Sequence, residues 1–552
     1  MKMNRTLLTG VGAAAAVLAT ACNSDKLTTV NNNPNSPTNA PSTALFTNAS
    51  RNGVSRWVDG MGGTRYGFLP QAFAEVQYPD DDAYTRLRAG STSGLFNGSY
   101  NVELQDLELV RRRGLAANDA STWGPAEVLM QWEFGILTDV FGDIPYSQAF
   151  KADSGIIQPK YDKQQDVYAA MFTRLAAASA ALGSSTANSL GDADPIYGGD
   201  TKAWQKFANS IRARHALRIV NVDPAKANTE LTAALADTTK LIVSNADNAA
   251  LPWPGDGVYD NPWAAQFKGR DDFRVSTRLI TYLRDYNDPR VAVYAQPAEK
   301  DTIELMDTTK VKTSAGTDTT IITAKTLKYC PGGGTVCYVG LGNALTQAKV
   351  SALVPYTSRV GAVFFPGATA YGTFGGSGGS QPSYLMTAAE VDFIRAEAAE
   401  RGLGGLNAAQ AGLYYNAGVT RSMEMWGIPA SAITAYLAQP AVSYAAATTQ
   451  AEKLKRIAIQ KWLAMYTEPI QQWAEFRRTC QPEIVKPGPN AIENVVPRRL
   501  YYSTTEHAVN ATNVNAAIAD QGPDNFRTRI WWDTKPTAAP TYPGSTCARR
   551  AL

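Results

Sequence analysis

Histidine and cysteine are both scarce in this chain. Its 552 residues include only two histidines, His215 and His507, and five cysteines. Histidine is the usual general base near neutral pH and a common metal ligand. Aromatic residues are plentiful, with 11 Trp, 25 Tyr and 17 Phe. We therefore expect a protein that binds rather than catalyses, with no cofactor and no metal, although a pair of carboxylates remains open as a catalytic device.

Charge is also sparse, because charged residues make up only 18% of the chain and the net charge is +3. Binding to nucleic acid requires a concentrated basic field, so nucleic acid is not an expected partner. The run Arg111-Arg112-Arg113 is one local exception. With Gly114 directly after it, we interpret this run as the solvated end of a helix.

The chain begins with the pattern of an exported protein. Lys2 and Arg5 precede an apolar stretch from Leu7 to Ala21. That stretch is shorter than the roughly 20 residues that span a bilayer, so we expect residues 1–21 to be a signal peptide. The residues before Cys22, Leu-Ala-Thr-Ala, resemble a bacterial lipobox, although Ala19 stands where leucine is common. We expect Cys22 to be acylated; the alternative is an ordinary secretory peptide.

The next segment predicts a flexible tether. Residues 22–45 are rich in Asn, Pro, Ser and Thr and contain little to bury. We expect a single domain over residues 46–552, held off the membrane by this tether.

Four cysteines remain after Cys22, and export makes disulfides plausible. They are Cys330, Cys337, Cys480 and Cys547. Four cysteines allow three pairings, and proximity favours Cys330 with Cys337, which leaves Cys480 with Cys547. A zinc site is a poor rival because the spacing is not CxxC and no histidine is near.

Helical periodicity dominates the domain. Asp200 is a candidate N-cap for a helix with apolar residues from Trp204 to Ile219, and His215 lies on its apolar stripe. Thr387 and Glu390 form a candidate capping box for a helix that ends at Gly402. A third helix is predicted over 453–466, and Pro469 prevents its continuation. Such helices could stack in pairs, although no clean 34-residue repeat is visible.

Residues 301–385 differ from this helical pattern. Alternating Thr, Val and Ile with Gly predict a β-ribbon and loops. The Gly-rich stretch YGTFGGSGGSQP lacks the GK[ST] of a phosphate-binding loop. We interpret the segment as an excursion from the helical core, of the kind that often carries binding residues.

A family resemblance rests on three stretches that occur in order along the chain. They are LTDVFGDIPYSQAF (137–150), IAIQKWLAMYTEPIQQWAEFRRTCQP (457–482) and the segment 495–533, which ends in a Trp pair. With the lipobox-like start, the chain resembles the SusD/RagB-like outer-membrane lipoproteins, in particular their second SusD-like branch. Cys480 is a departure, because family members commonly have Gly after Arg-Arg-Thr.

The resemblance implies a mainly α fold, a superhelix of tetratricopeptide-like helix pairs with loop-rich and short β-ribbon insertions. It also implies a surface lipoprotein that captures nutrient, usually glycan, for a SusC-like TonB-dependent transporter, without enzyme activity. Most motif residues should be structural, among them Gly142, Pro145, Tyr146, Trp204, Trp462, Trp473, Arg477, Arg478, Trp531 and Trp532.

Candidate ligand residues come from two loop-like stretches rich in aromatic and polar side chains, with a third from the Gly-rich loop. Sugar rings stack on aromatic faces, and polar side chains bind their hydroxyls. The candidates are Tyr66, Gln71, Gln77 and Tyr78; Trp253, Tyr259, Asn261, Trp263, Arg270 and Asp272; and Phe365, Tyr371 and Phe374. Asp81 adds a further polar group to the first stretch. The acidic runs PDDDAY and GDGVYDN lack EF-hand spacing, so we interpret both as solvated turns.

Other functions remain open on the sequence alone. The same architecture could serve peptide or another nutrient instead of glycan. A surface glycosidase with two carboxylates, and a helical adaptor that binds only proteins, are further alternatives.

Overall fold

Helices that pack against their neighbours in the chain make up most of the computed structural model. It describes residues 40–58, 66–85, 87, 89–267, 271–300, 302–312, 318–328, 337–361, 364, 379–493 and 495–534. Within these ranges the helical core is accompanied by four two-stranded antiparallel pairs.

The first helical layer lies between residues 42 and 235. Its helices are α1 Ser42–Trp57, α2 Ala89–Gly98, α3 Leu104–Ala116, α4 Ala120–Phe141, α5 Gln164–Ser184, α6 Thr201–Arg218 and α7 Pro224–Leu235. A π-helical turn, Ser99–Glu103, joins α2 to α3. From α3 to α7, each helix packs against the next.

Short helices follow, and then a second layer. The short helices are α8 Pro262–Phe267, α9 Thr277–Asp285, α10 Val291–Tyr294 and α11 Gln347–Leu353. The second layer comprises α12 Ala388–Glu400, α13 Ala408–Glu424, α14 Ala430–Leu437, α15 Gln450–Ala464, α16 Pro469–Thr479, α17 Thr504–Val509 and α18 Ala511–Gln521. Because α12 packs against both α13 and α6, it joins the two layers.

The strand pairs connect distant parts of the chain. They are β1 Phe73–Glu75 with β5 Phe273–Val275, β2 Ile144–Pro145 with β3 Tyr161–Asp162, β4 Ala249–Leu251 with β8 Ser383–Met386, and β6 Thr302–Lys312 with β7 Asp318–Lys328. The long β6–β7 pair is the β-ribbon that alternation predicted in the 301–385 excursion.

The sequence signals for α6 are confirmed. The Asp200 carboxylate accepts hydrogen bonds from the backbone N–H groups of Lys202 (2.8 Å) and Ala203 (3.2 Å). His215 is a core residue, as expected, and its ring meets Tyr168 edge-on. Burial holds the pKa of His215 well below its usual range, and the nearby cations Arg214 and Arg218 lower it further.

The other two predicted helices are also present. The Thr387 side chain accepts a hydrogen bond from the backbone N–H of Glu390 (3.3 Å) at the start of α12. Pro469 prevents α15 from continuing and is the first residue of α16. Proline is tolerated there because the first N–H groups of a helix have no partner within the helix.

Charged side chains are buried where the two layers meet. Arg214 of α6 pairs with Glu390 of α12 and with Glu468 (3.1 Å). Arg478 of α16 pairs with Glu475 and with Glu397 of α12, both at 2.6 Å. Burial alone would raise the pKa of Glu397, but Arg478 and Arg401 outweigh it and hold the pKa at about 2. The Arg214 pairs therefore join the two layers, and the Arg478 pairs join α12 to α16 within the second layer.

The turn after α4 has the structural role that the family resemblance implied. Gly142 has φ +86°, and a Cβ there would meet the side chain of Gln521. The ring of Tyr146 packs edge-on against Phe134 at 4.6 Å, and its hydroxyl donates to the Gln131 side-chain oxygen (2.7 Å). Tyr146 is therefore a core residue.

The C-terminal segment returns to the helices, also as expected. Arg477 donates from Nη1 to the backbone oxygens of Asp139 (2.7 Å) and Arg498 (2.9 Å). Its guanidinium lies over the rings of Trp473 and Trp532, at 3.6 and 4.8 Å from their centroids.

Two expectations about boundaries are wrong. Gly114 does not end a helix, because α3 continues to Ala116. Glycine is required at this position because a Cβ would lie 2.7 Å from the backbone nitrogen of Trp123. The arginines before it are not simply solvated, since Arg111 and Arg112 both bind Glu108 (2.7 Å). Helix α1 begins at Ser42, so the end of the expected 22–45 tether is helical.

Candidate functional site

The structure brings the two main candidate stretches together. Strand β1, from the 65–84 stretch, pairs with β5, which follows directly after the 251–272 candidates. The register places Ala74 opposite Arg274. Both strands are buried, so residues about 200 positions apart in the chain share one core.

The core beneath this region is aromatic, and Trp263 is part of it. Its side chain is 0% exposed and stacks on Phe364, with ring centroids 4.4 Å apart and planes at 17°. The ring of Phe73 lies 4.9 Å away, and the indole N–H donates to the Val58 carbonyl (3.3 Å). The expectation that Trp263 offers a face to ligand is wrong, because both sides of the ring are covered.

Four other candidates are also buried, and two of them, Gln71 and Asn261, form hydrogen bonds that hold loops. Gln71 donates to the Lys486 carbonyl (2.5 Å) and accepts from the Lys486 backbone N–H (3.1 Å). Asn261 donates to the carbonyl of Gln381 (2.9 Å). The side chains of Tyr66 and Asp272 are buried as well. We correct the ligand assignment of all four.

The acidic run after Tyr78 is likewise more buried than a solvated turn. Asp81 and Asp82 have little exposed area, and Asp82 accepts from the backbone N–H of Glu75 (3.1 Å). Burial raises the pKa of Asp82 to about 7. Among the described residues, no group of three or more His, Cys, Asp or Glu side chains could hold a metal ion.

The loop between β4 and α8 is built to present its apex. Asp256 accepts hydrogen bonds from the backbone N–H groups of Val258 (2.9 Å) and Tyr259 (2.8 Å), and Asp260 accepts from that of Gly257 (3.0 Å). Gly257 has φ +90°, a backbone conformation that residues with a side chain rarely adopt. These local bonds fix a tight turn whose apex, Val258 and Tyr259, is exposed.

Trp253 attaches this loop to the neighbouring strand. The indole N–H donates a 2.7 Å hydrogen bond to the hydroxyl of Ser383 in β8, while the half-buried ring packs against the core. One edge of the indole is therefore fixed and part of the ring remains accessible. This arrangement suits an aromatic platform that does not lose rotamer freedom when a ligand binds.

Tyr259 is the most accessible aromatic side chain of the loop, with 53% of its area exposed. The guanidinium of Arg51, on α1, lies 5.3 Å from its ring centroid. An exposed ring beside a cation can stack on an apolar sugar face while the guanidinium donates to hydroxyls. The sequence analysis missed Arg51, because nothing near residue 51 points to a loop 200 residues away.

Tyr78 and Gln77 form a second exposed patch. Tyr78 is 56% exposed, and its backbone N–H donates to the side chain of Gln347 in α11 (3.3 Å). Gln77 is exposed beside it. The remaining candidates Arg270, Phe365, Tyr371 and Phe374 lie outside the described residues.

Cys337 and Cys480 are both buried. Their expected partners, Cys330 and Cys547, lie outside the described residues, as does Cys22. The pairing and the lipid attachment therefore stay predictions. In the part of the chain that the structure describes, no helix combines the length and hydropathy needed to cross a membrane.

The chain matches the family model SusD-like_2, described as starch-binding associating with outer membrane, over residues 34–503. Similar solved structures include a SusD homolog from Bacteroides uniformis ATCC 8492, with 25% identity, a TM-score of 0.69, and coverage of 89% of this chain and 99% of the homolog. A chitin-binding SusD homolog from Flavobacterium johnsoniae has 24% identity, a TM-score of 0.70, and coverage of 90% and 100%. A SusD homolog from Bacteroides fragilis NCTC 9343 has 24% identity, a TM-score of 0.69, and the same coverage.

No curated protein matches the chain. The solved structures confirm the expected fold, mainly helical with helix pairs and short strand insertions.

Proposed function

The chain belongs to the SusD-like family of starch-binding proteins associated with the outer membrane, and on that basis we propose that it captures glycan at the cell surface for uptake. In this proposal residues 1–21 are removed, Cys22 carries the lipid, and a SusC-like TonB-dependent transporter receives the glycan. The protein acts by binding alone and catalyses no reaction.

The observation that carries the proposal is the family match, which extends over residues 34–503. Glycan is favoured over peptide because the family is described as starch-binding and because two of the similar solved structures are of chitin-binding proteins. Peptide cargo remains the alternative for the same architecture. A surface glycosidase is less favoured, because the family description names binding.

The loop with Trp253 and Tyr259 is the proposed contact with glycan. An exposed tyrosine face binds the C–H face of one sugar ring, and Arg51 donates to its hydroxyls. Trp253, tethered to Ser383, offers a second ring along the same loop. Two rings on one loop would suit consecutive units of an oligosaccharide better than a single small molecule.

A binding screen tests both the cargo and the site. Soluble protein that starts at Asn23 is titrated with polysaccharides and oligopeptides, together with Tyr259→Ala and Trp253→Ala. We expect glycan binding that weakens at least about tenfold in each variant, equivalent to about 1.4 kcal/mol. Tyr78→Ala is the matched control, since Tyr78 is equally exposed but belongs to the other patch.

Other results would redirect the proposal. Peptide binding, or no binding, would move the cargo away from sugars. Glycan binding that is lost only in Tyr78→Ala would move the site to the patch beside α11.

The proposed disulfides have their own test. Non-reducing peptide mapping should recover Cys330 joined to Cys337 and Cys480 joined to Cys547. A different pairing, or free thiols at these positions, would contradict the proposal.

A further inference from the structure

A cavity of about 260 Å³ lies where the C-terminal segment returns to the start of α5. Its lining comes from Asp143 after α4, the first residues of α5, the end of α18 and residues 529–531. Pockets that hold drug-sized ligands have volumes of roughly 300–1,000 Å³, so this smaller cavity suits a single small ring. None of the residues assigned to the glycan loop lines it.

The walls of the cavity are held in place by hydrogen bonds within the protein. The Gln521 side chain accepts from the backbone N–H of Asp143 (2.8 Å) and donates to the carbonyl of Phe141 (3.1 Å). The Gln164 side chain donates to the carbonyl of Thr138 (2.7 Å). These bonds fix the turn after α4 to both α5 and α18, so little ordering is needed when a ligand enters.

Asp143 supplies a hydrogen-bond acceptor to this cavity. The residue is only 7% exposed. One of its carboxylate oxygens accepts from the backbone N–H of Gln164 (2.8 Å), and among the described residues no group donates to the other oxygen. Burial raises the pKa of Asp143 to about 6, so the carboxylate is mostly ionised at neutral pH. A buried acceptor is stabilised by a donor, and a ligand hydroxyl can supply one.

The other charged side chains of the lining are paired. Lys163 binds Asp520 (2.9 Å), and Arg529 binds Asp533 (3.0 Å). An anionic ligand would be repelled by Asp143, and a cationic ligand would lie in the same cavity as the two basic side chains. The charges of the lining therefore favour a neutral ligand.

Trp531 and Gln165 complete the lining with an aromatic ring and an amide. The half-buried ring of Trp531 packs against Tyr168, with centroids 5.9 Å apart, and part of it lines the cavity. Gln165 is exposed on the first turn of α5, and its amide can both donate and accept. An aromatic ring with an acceptor and an amide beside it can bind the C–H face and the hydroxyls of a sugar.

We propose that this cavity binds one sugar ring, as a second carbohydrate site separate from the loop with Trp253 and Tyr259. One hydroxyl of the ring donates to Asp143, another bonds to the Gln165 amide, and the C–H groups contact Trp531. The ring is a free monosaccharide or the end unit of an oligosaccharide. The inference rests on the proposed function, which makes glycan the cargo, and it adds a site with residues of its own.

The test uses soluble protein that starts at Asn23 and carries 5-fluorotryptophan. The fluorine NMR resonances of Trp531 and Trp253 are assigned from Trp531→Phe and Trp253→Phe, so one titration reports on the cavity and on the loop. The probes are glucose and N-acetylglucosamine, the units of starch and chitin, and oligosaccharides of each. We expect the Trp531 resonance to shift, with a dissociation constant in the millimolar range for the monosaccharides.

Two variants and a control assign this shift to the cavity. Asp143→Asn and Gln165→Ala each remove one polar contact and should weaken the binding seen at Trp531 about three- to tenfold. An asparagine can still accept from the backbone N–H after it, and Gln165→Ala changes only an exposed side chain, so it tests the site even where Asp143→Asn fails to fold. Gln105→Ala, at an exposed glutamine on α3, is the matched control and should bind like wild type.

The two resonances separate this inference from the proposed glycan loop. A shift at Trp253 with none at Trp531 would overturn the inference and leave the proposed loop standing. A shift at Trp531 with none at Trp253 would support the cavity and refute the loop. A shift at neither position would refute both sites.

Further outcomes concern the ligand. A Trp531 shift that is unchanged in both Asp143→Asn and Gln165→Ala would overturn the assignment of the site. A larger shift with tetramethylammonium or acetate than with the sugars would show a site for a charged ligand and would also overturn the inference. Tighter binding of an oligosaccharide than of its monosaccharide would support the end of a chain as the natural ligand, and the reverse would support a free sugar.

Discussion

The indole N–H of Trp532 donates a 2.7 Å hydrogen bond to the carboxylate of Asp139, 393 residues earlier in the chain. The hydroxyl of Tyr168 donates to the same carboxylate oxygen (2.5 Å). One buried carboxylate on α4 therefore fixes both α5 and the C-terminal segment.

Trp532→Phe should destabilise the protein, because it leaves a buried carboxylate short of one donor. The expected loss is about 1–3 kcal/mol in the free energy of unfolding. Urea unfolding measures it. Trp531→Phe is the matched control at the adjacent, half-buried ring, and a similar loss in both variants would contradict the role of the Asp139 hydrogen bond.

Glu133→Gln should flatten the dependence of stability on pH. Burial, and then the neighbouring Glu103, raise the pKa of Glu133 to about 8. The folded state therefore retains a proton that the unfolded state releases near pH 4.5, so stability is present at low pH and is lost as pH rises from about 4.5 to 8. The slope is on the order of 1 kcal/mol per pH unit.

The glutamine keeps the size of Glu133 and can still accept from the Trp57 indole N–H, which lies 3.2 Å away. Unfolding in urea between pH 5 and 8 compares wild type, Glu133→Gln and the exposed control Glu424→Gln. Parallel curves for wild type and Glu133→Gln would show that Glu133 is not the titrating group.

Gly135→Ala should destabilise the contact between α4 and α6. A Cβ at Gly135 would lie 2.3 Å from Cε1 of the buried His215 ring. Overpacking of this kind costs about 1–3 kcal/mol. Gly94→Ala on α2 is the matched control: nothing lies within 4 Å of its Cβ, so we expect a gain of about 0.5–1 kcal/mol. Thermal unfolding measures the stability of both variants, and equal effects at the two positions would contradict the packing argument.

Asp256→Ala should weaken glycan binding without a change in melting temperature. It removes the two backbone hydrogen bonds that hold the apex at Val258 and Tyr259, and the loop must then be ordered by the ligand. We expect affinity to fall about three- to tenfold in isothermal titration. Asp285→Ala, at an exposed aspartate on α9, should bind like wild type; unchanged affinity in Asp256→Ala would show that the apex needs no fixing.

Cys22→Ala should release the protein from the membrane, because a lipid on Cys22 is the proposed anchor. The measurement is the share of protein in the membrane and soluble fractions of fractionated cells. A variant that partitions like wild type would refute the lipid anchor.

The sequence predicted local structure well and burial less well. Asp200 and Thr387 begin helices because capping depends on a few adjacent residues. Trp263 shows the opposite case. The sequence placed it in a loop-like stretch, but it lies in the short helix α8, and its burial depends on Phe73 and Phe364, which are distant in sequence. No local pattern reports such contacts.

The candidate site was found in part for the same reason. The sequence placed Trp253 and Tyr259 in one loop-like candidate stretch, and both lie in the loop between β4 and α8. Arg51 was missed because its proximity to Tyr259 results from the packing of α1. Gly114 led to a wrong prediction of where α3 ends, because the glycine is required for close packing against Trp123 and not for a helix end.

The return of the C-terminal segment to α4 also sets an order of events in biogenesis. Asp139 and Arg477 receive their final buried partners from residues 498–532. In the proposed export, in which the chain enters the periplasm from its N-terminus, the first helical layer cannot be completed until almost all of the chain has been translocated. Partners of such high sequence separation form late in folding. If the chain is exported as proposed, we expect it to stay incompletely packed, and to need protection from aggregation, until residues 498–532 have crossed.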